Sequence, residues 1–564
     1  MKKSWKFGAH KTRIILLSIL TVFLFFIFAL ILAIKIVNPY KVSIYNYESY
    51  LSRNVIQKIK TKYSYHTFGE INEFTKAINS NKAVAGVGSD HQIAQLVIEG
   101  KLRKVNLEKA FGKEYDKTKY RTYKDYVYHF YEDILQKHLD EFHQKIIDEI
   151  KKINPENKIQ FGSGLNSKKL AMPYLVDEDG KRWDPKGTKK PIAFEADSDL
   201  SKPDYFYEFL VPYLLQDKVI AYNTNKKYRP HLTNIDTIDM KNKEKWLDIM
   251  KELINKIHNY KKVNWTNSFL DNTMIGQFYA QEQGLKKYIN KETGKVSPLT
   301  LENYKEIIDY FIEFVEKATG KSIKDPNYNK LVTDGLELVN DIIEPKPTKP
   351  DISIMYNGDA LDSYYANDNF GVLNKPQIKY KRPKNNYLLL DAWIVSNNVS
   401  DKETDRLMDF FNKYVFHGYN WEKEKFILKY FKKVYENLMT NNRSLKQEYL
   451  KHLFENNDVN KPKNIQNIDK TFFNKYYDTF KDSFNFAPTV ESFDAVNYTT
   501  GFKLLNQFLR EHYFLKEDLT HDETARDIFT ISNDPNKIIH QSYQPINLKL
   551  RTAINDYYFS KTKS

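Results

Sequence analysis

Between Ile14 and Ile34 the chain carries an unbroken run of uncharged, mostly apolar residues, about 20 long, the length that spans a hydrocarbon core as a helix. Lys2, Lys3, Lys6, Lys11 and Arg13 precede it, and a basic flank of this kind stays on the cytoplasmic side. A cleaved signal peptide would have a shorter apolar core and a small-residue cleavage site, whereas here Lys35-Ile36-Val37-Asn38-Pro39 follows. The pattern predicts a basic cytoplasmic tail over 1–13 and a transmembrane anchor over 14–36. The protein is then a single-pass protein of the cell membrane, N-in and C-out, with the bulk of the chain extracellular.

Past the anchor the hydrophobic period changes. Val42 to Tyr45, Tyr63 to Thr67 and Ala83 to Val87 read as strands, by β-branched and aromatic alternation. Ile71, Phe74 and Ile78 fall on one helical face between the last two. Gly88 ends the third strand, and Ser89 can cap a helix carrying Ile93, Leu96 and Val97. Strand, helix, strand, helix at this spacing predicts the α/β class with a parallel, doubly wound sheet. From Tyr123 to Lys151 the apolar positions Val127, Phe130, Ile134, Leu139, Phe142, Ile146 and Ile150 predict one long amphipathic helix. Asp177 to Pro203 is rich in Asp, Gly, Lys and Pro and reads as an exposed loop. Strand-like runs return at 211–215, 219–222, 352–356 and 387–395. Ser400-Asp401-Lys402-Glu403 is a capping box that opens a helix closed by His417-Gly418, and about 422–477 is mostly helical.

Composition narrows the function. Of 564 residues 41% are apolar, enough for a packed core, and there is no cysteine. Disulfides, thiolate metal sites, cysteine nucleophiles and a lipid-modified N-terminal cysteine are thereby excluded. Lys and Arg number 87 against 72 Asp and Glu, a net charge of +15. No basic stripe interleaves with aromatics as nucleic-acid readers require, so no nucleic-acid partner is expected. The Gly-x-Ser-x-Gly elbow, the His-Glu-x-x-His helix, the P-loop and the EF-hand are absent from the sequence. His138 and His143 are five apart on the long helix and share no metal-binding face; they read as surface residues. No enzyme activity, metal or cofactor is expected.

Three carboxylates stand out instead. Asp391 lies inside Tyr387-Leu388-Leu389-Leu390-Asp391-Ala392-Trp393-Ile394-Val395, where a charge is expensive to bury unless paired. It awaits either a cation or a structural partner from Lys or Arg. Asp271 and Asp359 each suit a ligand or a helix N-terminus. Tyr45, Tyr47 and Tyr50 follow the first strand and Tyr356 ends another. In open parallel sheets ligands bind beyond the carboxyl ends of strands. Aromatic faces and carboxylates there describe a site for an organic cation, although most tyrosines in so tyrosine-rich a chain are packing.

Ordered blocks of sequence resemble a family. Ile44-Tyr45-Asn46-Tyr47-Glu48-Ser49-Tyr50 is similar to the opening of the spermidine/putrescine-binding receptors of ABC importers, and Val87-Gly88-Ser89-Asp90-His91 to their second binding loop. Pro212-Tyr213 through Ala221-Tyr222-Asn223, Asp271 through Gly284, Met355-Tyr356-Asn357-Gly358-Asp359-Ala360 and Leu389-Leu390-Asp391 follow in the family's order. Ser542-Tyr543-Gln544 and Asp556-Tyr557-Tyr558 complete it. The resemblance implies a two-lobed, periplasmic-binding-protein-like fold of type II, preceded by the transmembrane helix and carrying helical insertions. Lobe 1 is expected over 42–228 and 392–488, with an insertion at about 103–208 and a helical extension at about 420–480; lobe 2 is expected over 229–391 and 489–564. The implied binding set is Tyr47, Tyr50, Ser89, His91, Asp271, Tyr356, Asp391 and Gln544, with Phe486 near the last hinge and Glu48 and Asp359 as added acids. A family acid falls on Met274, its strand tryptophan on Leu389 and a tyrosine on His91; Trp393 is a candidate replacement for the aromatic wall.

The resemblance implies a membrane-anchored receptor that captures a polyamine, spermidine or putrescine, for an ABC permease and its ATPase. The alternatives are the same fold with another cationic nutrient such as thiamine, and a surface adhesin built around the insertions. The insertions, lacking a family counterpart, are expected to be accessories.

Overall fold

The computed structural model describes residues 14–29, 41–69, 71–153, 205–257, 262–290, 294–365, 369–373 and 375–563, with short strands between 160 and 183. The basic tail, the end of the expected anchor, and 177–203 apart from Arg182–Trp183 lie outside the described residues. Residues 14–29 are helical. Among the described residues no helix is long and apolar enough to cross a membrane.

Two sheets organise the rest. The first contains β1 (Ser43–Tyr47), β2 (Ser64–Phe68), β3 (Ala83–Ser89), β4 (Val211–Gln216), β10 (Asn385–Val395), β11 (Thr499–Thr500) and β12 (Ile539–Ser542). Its order is β11-β4-β10-β3-β1-β2, with β12 beside the start of β10. β1 pairs in parallel with β2 and β3, as the strand-helix alternation predicts. The second sheet contains β5 (Lys218–Asn223), β6 (Val263–Thr266), β7 (Asn329–Val332), β8 (Ile352–Tyr356) and β9 (Ile378–Lys381), in the order β7-β6-β8-β5-β9. β6 pairs in parallel with β7 and β8, and β5 runs antiparallel to β8 and β9. β10 is buried along almost its whole length, which is why its sequence reads as a continuous apolar run rather than an alternation.

The chain therefore crosses between sheets at Asp217 and again between Lys381 and Asn385. Three expected lobe boundaries move. Residues 218–223 lie in the second sheet, not with 42–228, and 385–391 lie in the first, not with 229–391; β11 and β12, within the 489–564 expected in lobe 2, also belong to the first sheet. The apolar run from Val211 to Asn223 looks uniform in sequence, so the switch of sheet is carried only by the polar triplet Gln216-Asp217-Lys218 at its middle.

The single helix expected over 123–151 is two, α1 (Tyr123–Tyr128) and α2 (Asp133–Ile153). The break arises because the intervening backbone pairs elsewhere. Lys503 N–H donates to the Phe130 carbonyl, Glu132 N–H donates to the Gly501 carbonyl, and Tyr131 bridges Phe502. Helix α2 packs on α3 (Asp90–Ile98), the helix that follows β3.

Candidate functional site

A cavity of about 700 Å³ opens where the carboxyl ends of both sheets face each other, the place a doubly wound topology reserves for ligands. From the first sheet it is lined by Tyr47, Ser89, Leu389 and Asp391, with Glu48 and Tyr50 from the segment after β1 and His91 from the start of α3. From the second come Thr266, Asp271, Tyr356 and Asp359. Nine of the residues implied by the resemblance (Tyr47, Glu48, Tyr50, Ser89, His91, Asp271, Tyr356, Asp359 and Asp391) are brought together on its wall.

Asp391 sits opposite Ser89 on β3 and Leu214 on β4, where the register shifts between Asp391 and Ala392. Its carboxylate is 2% exposed. Ser89 Oγ donates to Oδ1 at 2.6 Å, and Tyr50 Oη and Gln216 Nε2 donate to Oδ2 at 2.8 and 2.5 Å. Ser89 occupies the N-cap position of α3 but makes no side-chain capping bond, so its hydroxyl is free for Asp391. Tyr47 Oη lies 3.1 Å from the same hydroxyl. Among the described residues no Lys, Arg or His forms an ion pair with Asp391. Burial therefore pushes its carboxyl up to about 6, with nearby Asp90 adding to the rise, despite the hydrogen bonds from Ser89, Tyr50 and Gln216 that favour the anion.

Asp271 is the contrast. It stands in the first turn of helix α4 (Phe269–Glu282), whose cap is Ser268: the Asp271 N–H donates to Ser268 Oγ. Its carboxylate is thus released from capping. Tyr356 Oη donates to Oδ2 and Tyr543 Oη to Oδ1, both at 2.7 Å, and Lys218 Nζ lies 2.8 Å from Oδ2. The Lys218 ammonium also donates to Thr266 Oγ1 at 2.7 Å and lies 3.4 Å from the Tyr356 ring centroid. Burial opposes ionisation of Asp271, but the charge and hydrogen bond of Lys218 outweigh it and hold the carboxyl below its usual range. Asp359, in the first turn of helix α5 (Asn357–Tyr364), is raised by burial and receives the Tyr498 hydroxyl. Gly358 gives room for that tyrosine, since a side chain at 358 would run into the Tyr498 ring.

Two implied residues lie elsewhere. Gln544 forms a reciprocal pair with the Leu299 backbone, donating to its carbonyl at 2.8 Å and accepting from its N–H at 3.0 Å. Its neighbour Tyr543 faces the cavity instead. Phe486 packs against Trp421 and Phe508 in the helical extension. Trp393 is core, against Phe411 and Phe416. His138 is no surface residue: it is buried, its Nε2 2.7 Å from Asp90, whose carboxyl it and His91 hold down at about 2 against the opposing effect of burial. Gln216, Lys218, Tyr498 and Tyr543 were absent from the expected set. The polar triplet at 216–218 within an apolar run was the signal for the first two; nothing local marks the tyrosines.

No protein-family model and no curated protein matches the chain. Solved structures similar to it include a spermidine/putrescine ABC transporter protein from Listeria monocytogenes, at 12% identity and a TM-score of 0.42, covering 92% of this chain and 98% of that one. A spermidine/putrescine ABC transporter substrate-binding protein from Streptococcus pneumoniae is similar at 12% identity and a TM-score of 0.39, with the same coverages of 92% and 98%. A solute-binding protein from Thermotoga lettingae bound to α-D-tagatose is similar at 10% identity and a TM-score of 0.34, over 66% of this chain and 76% of that one.

Proposed function

We propose that this chain is the substrate-binding receptor of an ABC importer, taking up an organic cation of the polyamine class in the cavity between its sheets. The observation that carries this reading is Asp391: a buried carboxylate on the cavity wall, surrounded by tyrosines and held by neutral donors, without a cationic partner among the described residues. Such a group is costly alone and gains most from a ligand ammonium, which brings charge pairing and cation–π contact with Tyr47 and Tyr50. Glu48 at the cavity mouth extends the acidic wall outward, suiting a ligand with further positive charge. The bound solute passes to a permease and ATPase.

Thermal unfolding of the full chain with putrescine, spermidine, spermine and thiamine tests the reading. A ligand at a hundred times its dissociation constant adds about 2.7 kcal/mol. A polyamine shift that Asp391→Asn abolishes is expected; no shift with any amine in the folded protein sinks it. Within the same proposal, residues 14–36 anchor the receptor, and the apolar side chains of 14–29, such as Phe25 at 74% exposure, are free to face lipid. Protease added to intact cells then degrades the outer part, and full protection would refute the topology.

A further inference from the structure

The cavity wall carries three buried carboxylates built alike, Asp271, Asp359 and Asp391, each receiving hydroxyl donors from tyrosines or serine. They differ in one respect. Asp271 has an ammonium of the protein's own in an ion pair, and among the described residues Asp359 and Asp391 have none.

Lys218 supplies that ammonium from behind the wall. It is fully buried, and its backbone is fixed by Asn386, which accepts from the Lys218 N–H at 3.1 Å and donates to its carbonyl at 2.7 Å. Its Nζ lies against the Tyr356 ring and beside Asp271 and Thr266, the contacts a ligand ammonium would seek. Asp271 and the Tyr356 ring line the cavity; Lys218 is not among the residues on its wall. A ligand approaching there meets a neutral ion pair and an aromatic ring whose cation is already in place.

We propose that Lys218 is a tethered counter-ion that determines specificity: it neutralises the Asp271 side of the cavity, so that a ligand ammonium at depth goes to Asp391 or Asp359 and not to Asp271. This deepens the receptor reading and rests on it. Further charges on a ligand are left to the acids of the mouth. Removing the Lys218 charge turns Asp271 into a further unpaired carboxylate and adds an ammonium position to the cavity.

The test is calorimetric titration of the full chain with α,ω-diamines of four to eight carbons and with monoamines of equal length. Three proteins are compared with the parent: Lys218→Met, the double variant Lys218→Met/Asp271→Asn, and Asp391→Asn. Lys218→Met is expected to raise the affinity for the best-fitting diamine at least tenfold relative to its monoamine. The double variant, which replaces the ion pair by neutral groups and so stays foldable even where a bare buried Asp271 is not tolerated, is expected to lose the diamine preference that Lys218→Met gains. A folded Lys218→Met with the parental diamine preference overturns the inference. So does a double variant that keeps the diamine preference gained by Lys218→Met, since Asp271 would then not be the added anchor. If the parent binds no amine, or Asp391→Asn binds as the parent does, the receptor reading itself has failed and this inference goes with it.

Discussion

At the scale of single residues, charge and burial decide more than identity. The same chemistry, a carboxylate under tyrosine hydroxyls, gives a lowered acid at Asp271 and a raised one at Asp391, because only the first has Lys218 beside it. The sequence marked both acids, and left open for each whether its partner is a ligand or the protein. That question is answered by β5, whose first residue is Lys218 and whose register against β8 places Lys218 opposite Tyr356. A contact 53 residues from Asp271 in sequence leaves no local trace. Gln544 was expected and Tyr543 found for a related reason: neighbours in extended chain face opposite ways, so a slip of one residue exchanges the side chain that reaches the cavity. The raised acid has a pH signature. A cation needs Asp391 ionised, so amine affinity should be level above pH 7 and fall towards tenfold per unit below about 6, with proton release on binding in that range. The stability of the empty protein runs in the opposite sense. An acid raised by folding costs nothing below its unfolded value near 4 and costs most above 6, so Asp391→Asn should raise Tm at pH 8 and leave it nearly unchanged at pH 4. Calorimetry in two buffers and melting curves across pH check both; a flat affinity profile in the parent would mean that Asp391 does not meet the cation.

At the scale of elements, strands were legible and their partners were not. β1, β2, β3 and β8 fall within one or two residues of the runs that the alternation marks, because alternation and β-branching are properties of the local chain. The break between α1 and α2 was invisible, since its cause is the backbone at 501–503. The role of α2 was hidden likewise. Besides the His138–Asp90 pair, α2 sends Lys145 to the end of β12, where Nζ donates to the Ser542 carbonyl at 2.9 Å, to Ser542 Oγ at 2.6 Å and to the Tyr543 carbonyl at 2.6 Å. Burial brings this ammonium down to about 8, though Glu141 and Asp90 favour its charge. The helix thus fixes the backbone of the tyrosine that holds Asp271. Asp90, in turn, accepts the Leu390 N–H at 2.9 Å, next to Asp391. An accessory insertion would leave the site alone; this one touches Tyr543, which donates to Asp271, and Asp90, which holds the backbone beside Asp391. Lys145→Met should therefore weaken amine binding about tenfold, or 1.4 kcal/mol, with a lowered Tm because two carbonyls lose their donor. Parental affinity and Tm in that variant would return the helix to the status of an accessory.

At the scale of the whole molecule, the two sheets are joined at the crossings, and one buried cluster binds both. Asp217, on the first crossing, receives Arg382 Nε, on the second, at 3.0 and 2.9 Å, and His540 Nε2 lies 3.1 Å away. The Arg382 guanidinium continues to the carbonyls of Asp527 and Ile528, at 2.8 and 2.6 Å. Asn357 closes the cluster from the second sheet, its N–H donating to the Asp217 carbonyl at 2.9 Å. The three residues of the first crossing have therefore gone to three different anchors: Gln216 to Asp391, Asp217 to Arg382, and Lys218 to Asp271. The geometry of the crossing is thereby tied to the charge state of the site. Burial opposes ionisation of Asp217, yet Arg382 and His540 hold its carboxyl below the usual range. The stability it contributes is thus present above the unfolded carboxyl value near 4 and lost only as pH falls below it. Removing the guanidinium leaves a buried charge without its main partner, a loss that typically costs 3–5 kcal/mol. Arg382→Met is expected to lower the unfolding free energy measured in urea by that much at pH 7 and by far less at pH 4, where Asp217 can take up a proton. Adding Asp217→Asn should recover most of the loss, because a neutral pair no longer needs the cation. Urea unfolding of the two variants at both pH values measures this. A single variant with the parental midpoint at pH 7 would show that the crossings are held by their strand pairing alone, and that Asp217 finds enough stabilisation in His540 and the surrounding backbone.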